Sequence, residues 1–325
     1  MSDRVQQYRD ADDVHRLTPV FSSPWYLDAV AGPENWDVAI VEGKSGIDGV
    51  LPYIKRRTRV GTTLTMPQLT QTLGPWVRIP DGTKHYRRLS LEKAVMSKLI
   101  DALPQYAVYR QNWAPEVTNW QPFYWRGFQQ TTRYTYVLPP ANDADEAWIR
   151  IERKTRNHIR RAEDTHGVSC AQSTDARQFG QLDGETFVRQ GMDVPYSNDL
   201  FTRLQNAAFE HEQGINIIGF VDGAPVAGAF FVWDRRKMYY LASGSDRSNR
   251  ETHALSLVIW EGIKLAVEKG LAFDFEGTML ENVEPHFRSF GAVQTPYFHV
   301  WRYGSRIAEL AGVGRVVDVV VVRVT

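Results

Sequence analysis

The chain has 325 residues, 38 basic and 38 acidic side chains for a formal net charge of zero, and a hydrophobic content of 43% with 12% aromatic. That length exceeds what one core usually fills, so two domains are expected, and the charge balance excludes a general polyanion binder such as a DNA-coating protein, leaving phosphate contacts to a local patch. A single cysteine, Cys170, excludes an internal disulfide. The charged start MSDRVQQYRDADDVHRL lacks the apolar stretch of a secretory signal, and the apolar run at 316–322 is too short to span a bilayer. A soluble, cytoplasmic protein with no integral membrane segment is the expectation.

In chain order, residues 23–30 (SPWYLDAV) read as a capped helix, followed by a strand, turn and strand over 37–57 and a proline- and glycine-marked loop over 66–76 (MPQLTQTLGPW). Residues 90–103 carry apolar side chains at helical spacing, with Ser90 placed as the N-cap. A linker is expected at residues 139–143 (PPAND), dividing the chain into domains 1–140 and 141–325. In the second half, 145–163 and 198–212 read as helices, 216–236 as a second strand-turn-strand, 253–269 as a long helix, and strands are expected around 272–276 and 295–302.

Two blocks recur in the same order. Residues 37–57 lie without a gap on 216–236, pairing Gly49 with Gly228, and residues 122–138 lie on 285–301, pairing Pro122 with Pro285 and Tyr134 with Tyr297. The repeat predicts a duplicated domain. The offsets differ, which places an insertion in the first half, over residues 58–85. Strand, turn, strand, long helix, strand, short helix, strand is an α/β order with a mixed sheet.

This order resembles that of the GNAT acyltransferase superfamily. Lys154-x-Arg156-x-x-Ile159-Arg160-x-Ala162 before Gly167-Val168, and Asp274-Phe275-Glu276-Gly277 leading to Phe287-x-x-Phe290-Gly291, are similar to the tandem-GNAT group that includes the Fem-type peptidoglycan-bridge aminoacyltransferases. The resemblance implies an α/β (α+β) fold of two tandem GNAT-like domains, each a mixed, mostly antiparallel sheet flanked by helices. It implies an N-acyltransferase acting on an amino group of a cell-envelope polysaccharide or secondary-metabolite precursor, the acceptor being a small molecule, glycan or peptide. The co-substrate is acyl-coenzyme A or, in the Fem-type alternative, aminoacyl-tRNA; a non-catalytic binding protein is the reading from another class. No covalently bound cofactor is implied.

One stretch departs from the usual coenzyme A signature. GNAT acetyltransferases place a glycine-rich turn before the long helix, and the matching stretch here runs Asn249-Arg250-Glu251-Thr252-His253-Ala254, with Thr252 where a glycine is expected. Arg250, Thr252 and His253 are therefore donor candidates without that cradle.

Other donor candidates come from the basic run at 150–161 (RIERKTRNHIRR), which holds six Lys/Arg and one Glu. Arg153, Arg156 and Arg160 fall on one helical face, with Lys154 beside them, while Trp148, Ile151, Ile159 and Ala162 supply an apolar stripe. Guanidinium forks suit the phosphates of either donor. For the chemistry, Asp274 and Glu276 alternate with Phe273 and Phe275 on an expected strand and so share one face. Two acids at that spacing raise one another's proton affinity toward what a general base needs. Tyr297 is a candidate acid for the leaving group, and His286 and His299 are alternatives for proton transfer. Gln68, Thr70 and Gln71 in the loop, with Asp193 and Tyr196 from the second half, are candidates for binding the acceptor by neutral hydrogen bonds. No spacing of His, Cys and acidic residues suggests a metal.

Overall fold

The computed structural model describes residues 2–44, 46–59, 61–179, 196–277 and 279–310. Contacts divide them into two compact units. One holds the described residues up to Arg133 and those from Pro296 on; the other holds Tyr134–Thr295.

The first unit opens with α1 (Asp3–Arg9), α2 (Asp12–His15) and α3 (Pro24–Ala31). Its sheet runs β1 (Trp36–Gly43), β2 (Gly46–Thr58), β3 (Gly61–Thr65), β5 (Val108–Asn112) and β12 (Val293–Tyr303), with the short β4 (Trp76–Val77) beside β2. All of these pairings are antiparallel except that of β3 with β5. Between β3 and β5 runs α4 (His85–Asp101), which buries Val95, Met96, Leu99 and Ile100 against the sheet. The expected start of this helix was five residues later; Ser90 lies inside it and its hydroxyl donates to the Tyr86 carbonyl instead of capping. After α5 (Gln121–Trp125), the chain enters β6 (Gln129–Leu138).

The second unit repeats this plan. Its sheet runs β6, β11 (Ala272–Asp274), β10 (Lys237–Ser245), β9 (Ala224–Trp233), β8 (Gly214–Val221) and β7 (Ser169–Ser173), again antiparallel except where β10 meets β11. Helices α6 (Ala144–Arg150), α7 (Arg153–Asp164), α8 (Asn198–Glu210), α9 (Ala254–Glu268) and α10 (Glu284–Ser289) surround it, and α11 (Arg306–Leu310) follows β12 in the first unit. Each half donates its closing strand away: β12 ends the sheet of the first unit, and β6 ends that of the second. Residues 139–143 lie within the second unit, between β6 and α6.

The long helix α9 is apolar on most of its circumference, as a helix packed on several sides must be. Its Gly262 makes that fit possible, because a Cβ there would sit 2.4 Å from the Phe231 ring of β9. The surrounding core gathers Phe231, Tyr240, Phe273, Phe275, Phe287 and Phe290. Ser197 caps α8 by accepting from the Leu200 amide.

Three sequence readings shift on the structure. The expected helix over 145–163 is two helices, α6 and α7, broken at Ile151 and Glu152, where the Glu152 amide donates to the Ser289 carbonyl rather than to a helical partner. The hairpins correspond, but one residue away from the gapless match. Both leave two residues between their strands, and both carry a bulge, between Val41 and Glu42 and between Gly219 and Phe220. Gly49 thus corresponds to Ala227, not Gly228, because turn and bulge fix register while residue identity does not. The second block slips likewise: the glycines ending the short helices, Gly127 (φ 77°) and Gly291 (φ 84°), correspond, since α10 is one residue longer than α5. Finally, the insertion in the first half begins after β3, which has its own counterpart in β10.

Candidate active site

Strands β10 and β11 pair in parallel only from Lys237–Ala272 to Tyr239–Asp274. Beyond that point β10 continues through a bulge at Leu241, which has no partner in the ladder, while the other chain turns away at Glu276 (φ 62°) and Gly277 (φ 75°). A left-handed conformation costs a non-glycine residue about 1–2 kcal/mol, so something must hold Glu276 in it. Asp274 does: its Oδ1 accepts the Glu276 amide at 2.9 Å. The same carboxylate accepts the Thr135 hydroxyl from β6 and lies 3.5 Å from the Lys237 ammonium of β10.

The two acids therefore do not alternate along one strand, as the sequence pattern predicts. Strand β11 ends at Asp274, and the turn gives Glu276 its own direction. Asp274 is 4% exposed and tied into hydrogen bonds; Glu276 is 2% exposed, and neither of its carboxylate oxygens has a hydrogen-bond partner. Burial, reinforced by the neighbouring Asp274 charge and opposed by Lys237, pushes its carboxyl well above the ordinary glutamate range.

A second cluster forms where α7 packs against the start of α9. His253 is the N-cap of α9 at φ 54°, and its ring stacks on that of His158 from α7, with centroids 4.0 Å apart and planes 5° from parallel. Both rings are held below the usual imidazole range, first by burial and then by Lys154 and Arg161 for His158, and by His158 and Arg161 for His253. His286 on α10 is lower still, at about 4, from burial and His158. Arg153, Lys154 and Arg160 are exposed on α7 and Arg156 is half-buried; Arg160 also lies over the Trp148 ring at 5.3 Å. The basic run is divided by the helix break, and Arg150 pairs with Glu146 within α6. Arg250 is exposed in the turn before α9, whereas Thr252 is buried and its hydroxyl closes that turn, donating to the Asn249 carbonyl and accepting the Ala254 amide. The Asp246 carboxylate takes the Ser248 amide and the side chains of Ser248 and Asn249 in the same turn.

Tyr297 belongs to the first unit, where the Gln71 amide donates to its phenol oxygen at 3.3 Å. Nearby, Asn112 donates to the Gln71 carbonyl and its Oδ1 lies 2.7 Å from His299 Nδ1. Gln68 is exposed, and Thr70 is buried and donates to the Gln68 carbonyl. Leu69 between them has φ 55°, held where Tyr26 donates to its carbonyl. Tyr196 is buried with its ring stacked on Phe201; Asp193 lies outside the described residues. Cys170 is half-buried, with burial pushing its thiol up to about 12, so it is no thiolate at neutral pH. Among the described residues no group of three or more His, Cys, Asp or Glu is placed to hold a metal ion, and no helix is long and apolar enough to cross a membrane.

Sequence reasoning missed Lys237, Thr135 and Asn112. The stretch KMYYLASGS of β10 is buried along nearly its whole length and has no alternation to mark it as a strand.

Two tandem domains of one topology, each with a mixed, mostly antiparallel sheet flanked by helices, and the second with a splayed parallel pair ending in a buried acid, form a tandem GNAT fold. Residues 150–287 match the acetyltransferase (GNAT) domain family, so that segment of the chain is a GNAT domain. No curated protein matches it in sequence. Among solved structures, FemX is similar with a TM-score of 0.66 at 13% identity, over 91% of this chain and 94% of that one. A conserved protein of unknown function from Bacteroides thetaiotaomicron VPI-5482 follows at 0.57 and 15% identity, over 87% and 90% of the two chains. The L-PGS structure from Bacillus licheniformis has a TM-score of 0.54 at 11% identity, over 94% and 98%. At these identities the likeness is one of fold.

Proposed function

We propose that the second unit transfers an acyl group from a phosphate-bearing carrier to an amine of a cell-envelope precursor, with Glu276 as the general base. The buried, unpartnered Glu276 carboxyl at the end of the splayed strands carries this reading. The amine nitrogen attacks the acyl carbon, the carbon–oxygen or carbon–sulfur bond to the carrier breaks, and Glu276 takes the proton the nitrogen loses. The Leu241 bulge supplies backbone for the developing oxyanion. The proton for the leaving group comes from solvent.

Carrier phosphates fit the cationic surface of Arg153, Lys154, Arg156 and Arg250 beside His253. The turn before α9 favours aminoacyl-tRNA over coenzyme A. A carboxylate, Asp246, and the Thr252 hydroxyl occupy amides that would otherwise face a pyrophosphate, and the fold is shared with FemX and with L-PGS. The acyl-coenzyme A reading is supported by the GNAT match itself. An envelope-type acceptor is supported by the same two neighbours. Purified protein incubated with charged tRNA or acyl-coenzyme A and an amine panel tests the proposal: transfer from tRNA supports it as stated, transfer from coenzyme A alone reverses the donor, and no transfer from either favours a binding protein.

A further inference from the structure

We infer that Lys237 and Asp274 are positioning residues for Glu276: Asp274 pins the turn that presents it, and the two opposite charges together set when its carboxylate becomes available. This rests on the reading of Glu276 as the base. Asp274 is joined to three elements at once, through Thr135 on β6, Lys237 on β10 and the amide of Glu276 itself. Its carboxylate is thus occupied by structural donors, whereas the Glu276 oxygens are not. The division of labour follows from that difference in hydrogen bonding: an acid with its lone pairs filled is a poor proton acceptor, and an empty one is ready to act.

The charge around Glu276 is simple. The titratable groups on the elements packed about it are Asp274 on β11, Lys237, Tyr239 and Tyr240 on β10, Arg133, Tyr134 and Tyr136 on β6, Glu284, His286 and Arg288 on α10, and Glu261, Lys264 and Glu268 on α9, where Lys264 pairs with Glu261 at 2.7 Å. Of these, Asp274 and Lys237 act on its ionisation, Asp274 the more strongly. Removing the ammonium alone leaves two buried carboxyls facing one another and raises the pH at which Glu276 ionises. Removing both charges takes away the larger push as well as the smaller pull, and lowers that pH below its wild-type value.

The test is direct titration of the Glu276 carboxyl in the full-length protein by infrared or carbon-13 spectroscopy, assigned by its loss in Glu276→Gln. Lys237→Met should move the titration up, Lys237→Arg should leave it near wild type, and Lys237→Met/Asp274→Asn should move it down. The double variant also covers the case in which Lys237→Met alone does not fold. Replacing Asn by Ala at 274 in that double variant removes the acceptor for the Glu276 amide and should lower kcat with KM unchanged. An unmoved titration, or shifts of the opposite sign, overturns the inference. If the carboxyl moves as described but the pH profile of kcat/KM does not follow, the inference stands and the assignment of Glu276 as the base falls.

Discussion

In the second unit the parallel pair Met238–Phe273 sits among Lys237, Asp274 and Glu276; in the first, the corresponding pair Leu64–Tyr109 sits among Thr63, Arg110 and Asn112. The correspondence follows both from the hairpins through β3 and β10 and from the closing strands β12 and β6. One strand plan thus carries a buried acid in one copy and, in the other, an amide whose hydrogen bonds reach Gln71 and His299. The backbone supplies the splayed pair, and side-chain chemistry decides whether it holds a base.

The sharpest way to break the comparison is to change the two corresponding residues. Glu276→Gln should keep the fold and lower turnover by roughly a hundredfold or more, the scale of general-base loss. Asn112→Ala should keep kcat close to wild type while costing about 1–3 kcal/mol of stability through its lost hydrogen bonds. Equal losses of turnover in the two variants, measured in one transfer assay, would erase the distinction.

A smaller effect concerns how the first unit is built. Gly74 has φ 84°, and a Cβ there would lie 2.6 Å from the Trp113 ring, so Gly74→Ala should cost about 2–4 kcal/mol from overpacking and backbone strain, read in denaturant melts. No change would mean that the loop over 66–76 is not docked on β5.

Smaller again is the expected response of the basic helix. Glutamine at Arg153, Arg156 and Arg160 together should raise the donor KM about tenfold or more, since charge-assisted phosphate contacts are lost. It should cost only about 0.5–1 kcal/mol of stability, through the Arg160–Trp148 contact. A large drop in Tm with unchanged KM would make the helix a purely structural element.

The least effect is on stability against pH. The Glu276 carboxyl lies above its unfolded value in the folded protein, so the folded state keeps the proton longer. Its contribution is full below the unfolded value and is lost as pH rises through the folded one. Glu276→Gln lacks that loss, and its Tm should gain on wild type as pH rises from acid to neutral and beyond. A constant difference would show that Glu276 is not buried uncharged.

The sequence carries much of this plan in plain sight. The hairpins announce themselves through apolar strands and, in the second, the Asp222-Gly223 turn, both residues at positive φ. Asp274 and Glu276 stand out in the sequence, although the strand expected to carry both ends at Asp274, and α8 and α9 are legible from their apolar period. What was not legible depends on distant partners. The break between α6 and α7 answers to Ser289, the turn at Glu276 to a side-chain hydrogen bond, and the exchange of closing strands to pairings far apart in the chain. His158 and His253 are likewise ninety-five residues apart, and only packing of α7 on α9 stacks them.

The pH dependence of kcat/KM in wild type and Glu276→Gln, each with the same donor and amine, tests the central assignment most directly. Wild type should show an acid limb well above the ordinary glutamate range of about 4.3, and the glutamine variant should lack it. The same limb at the same pH in both proteins would contradict that assignment.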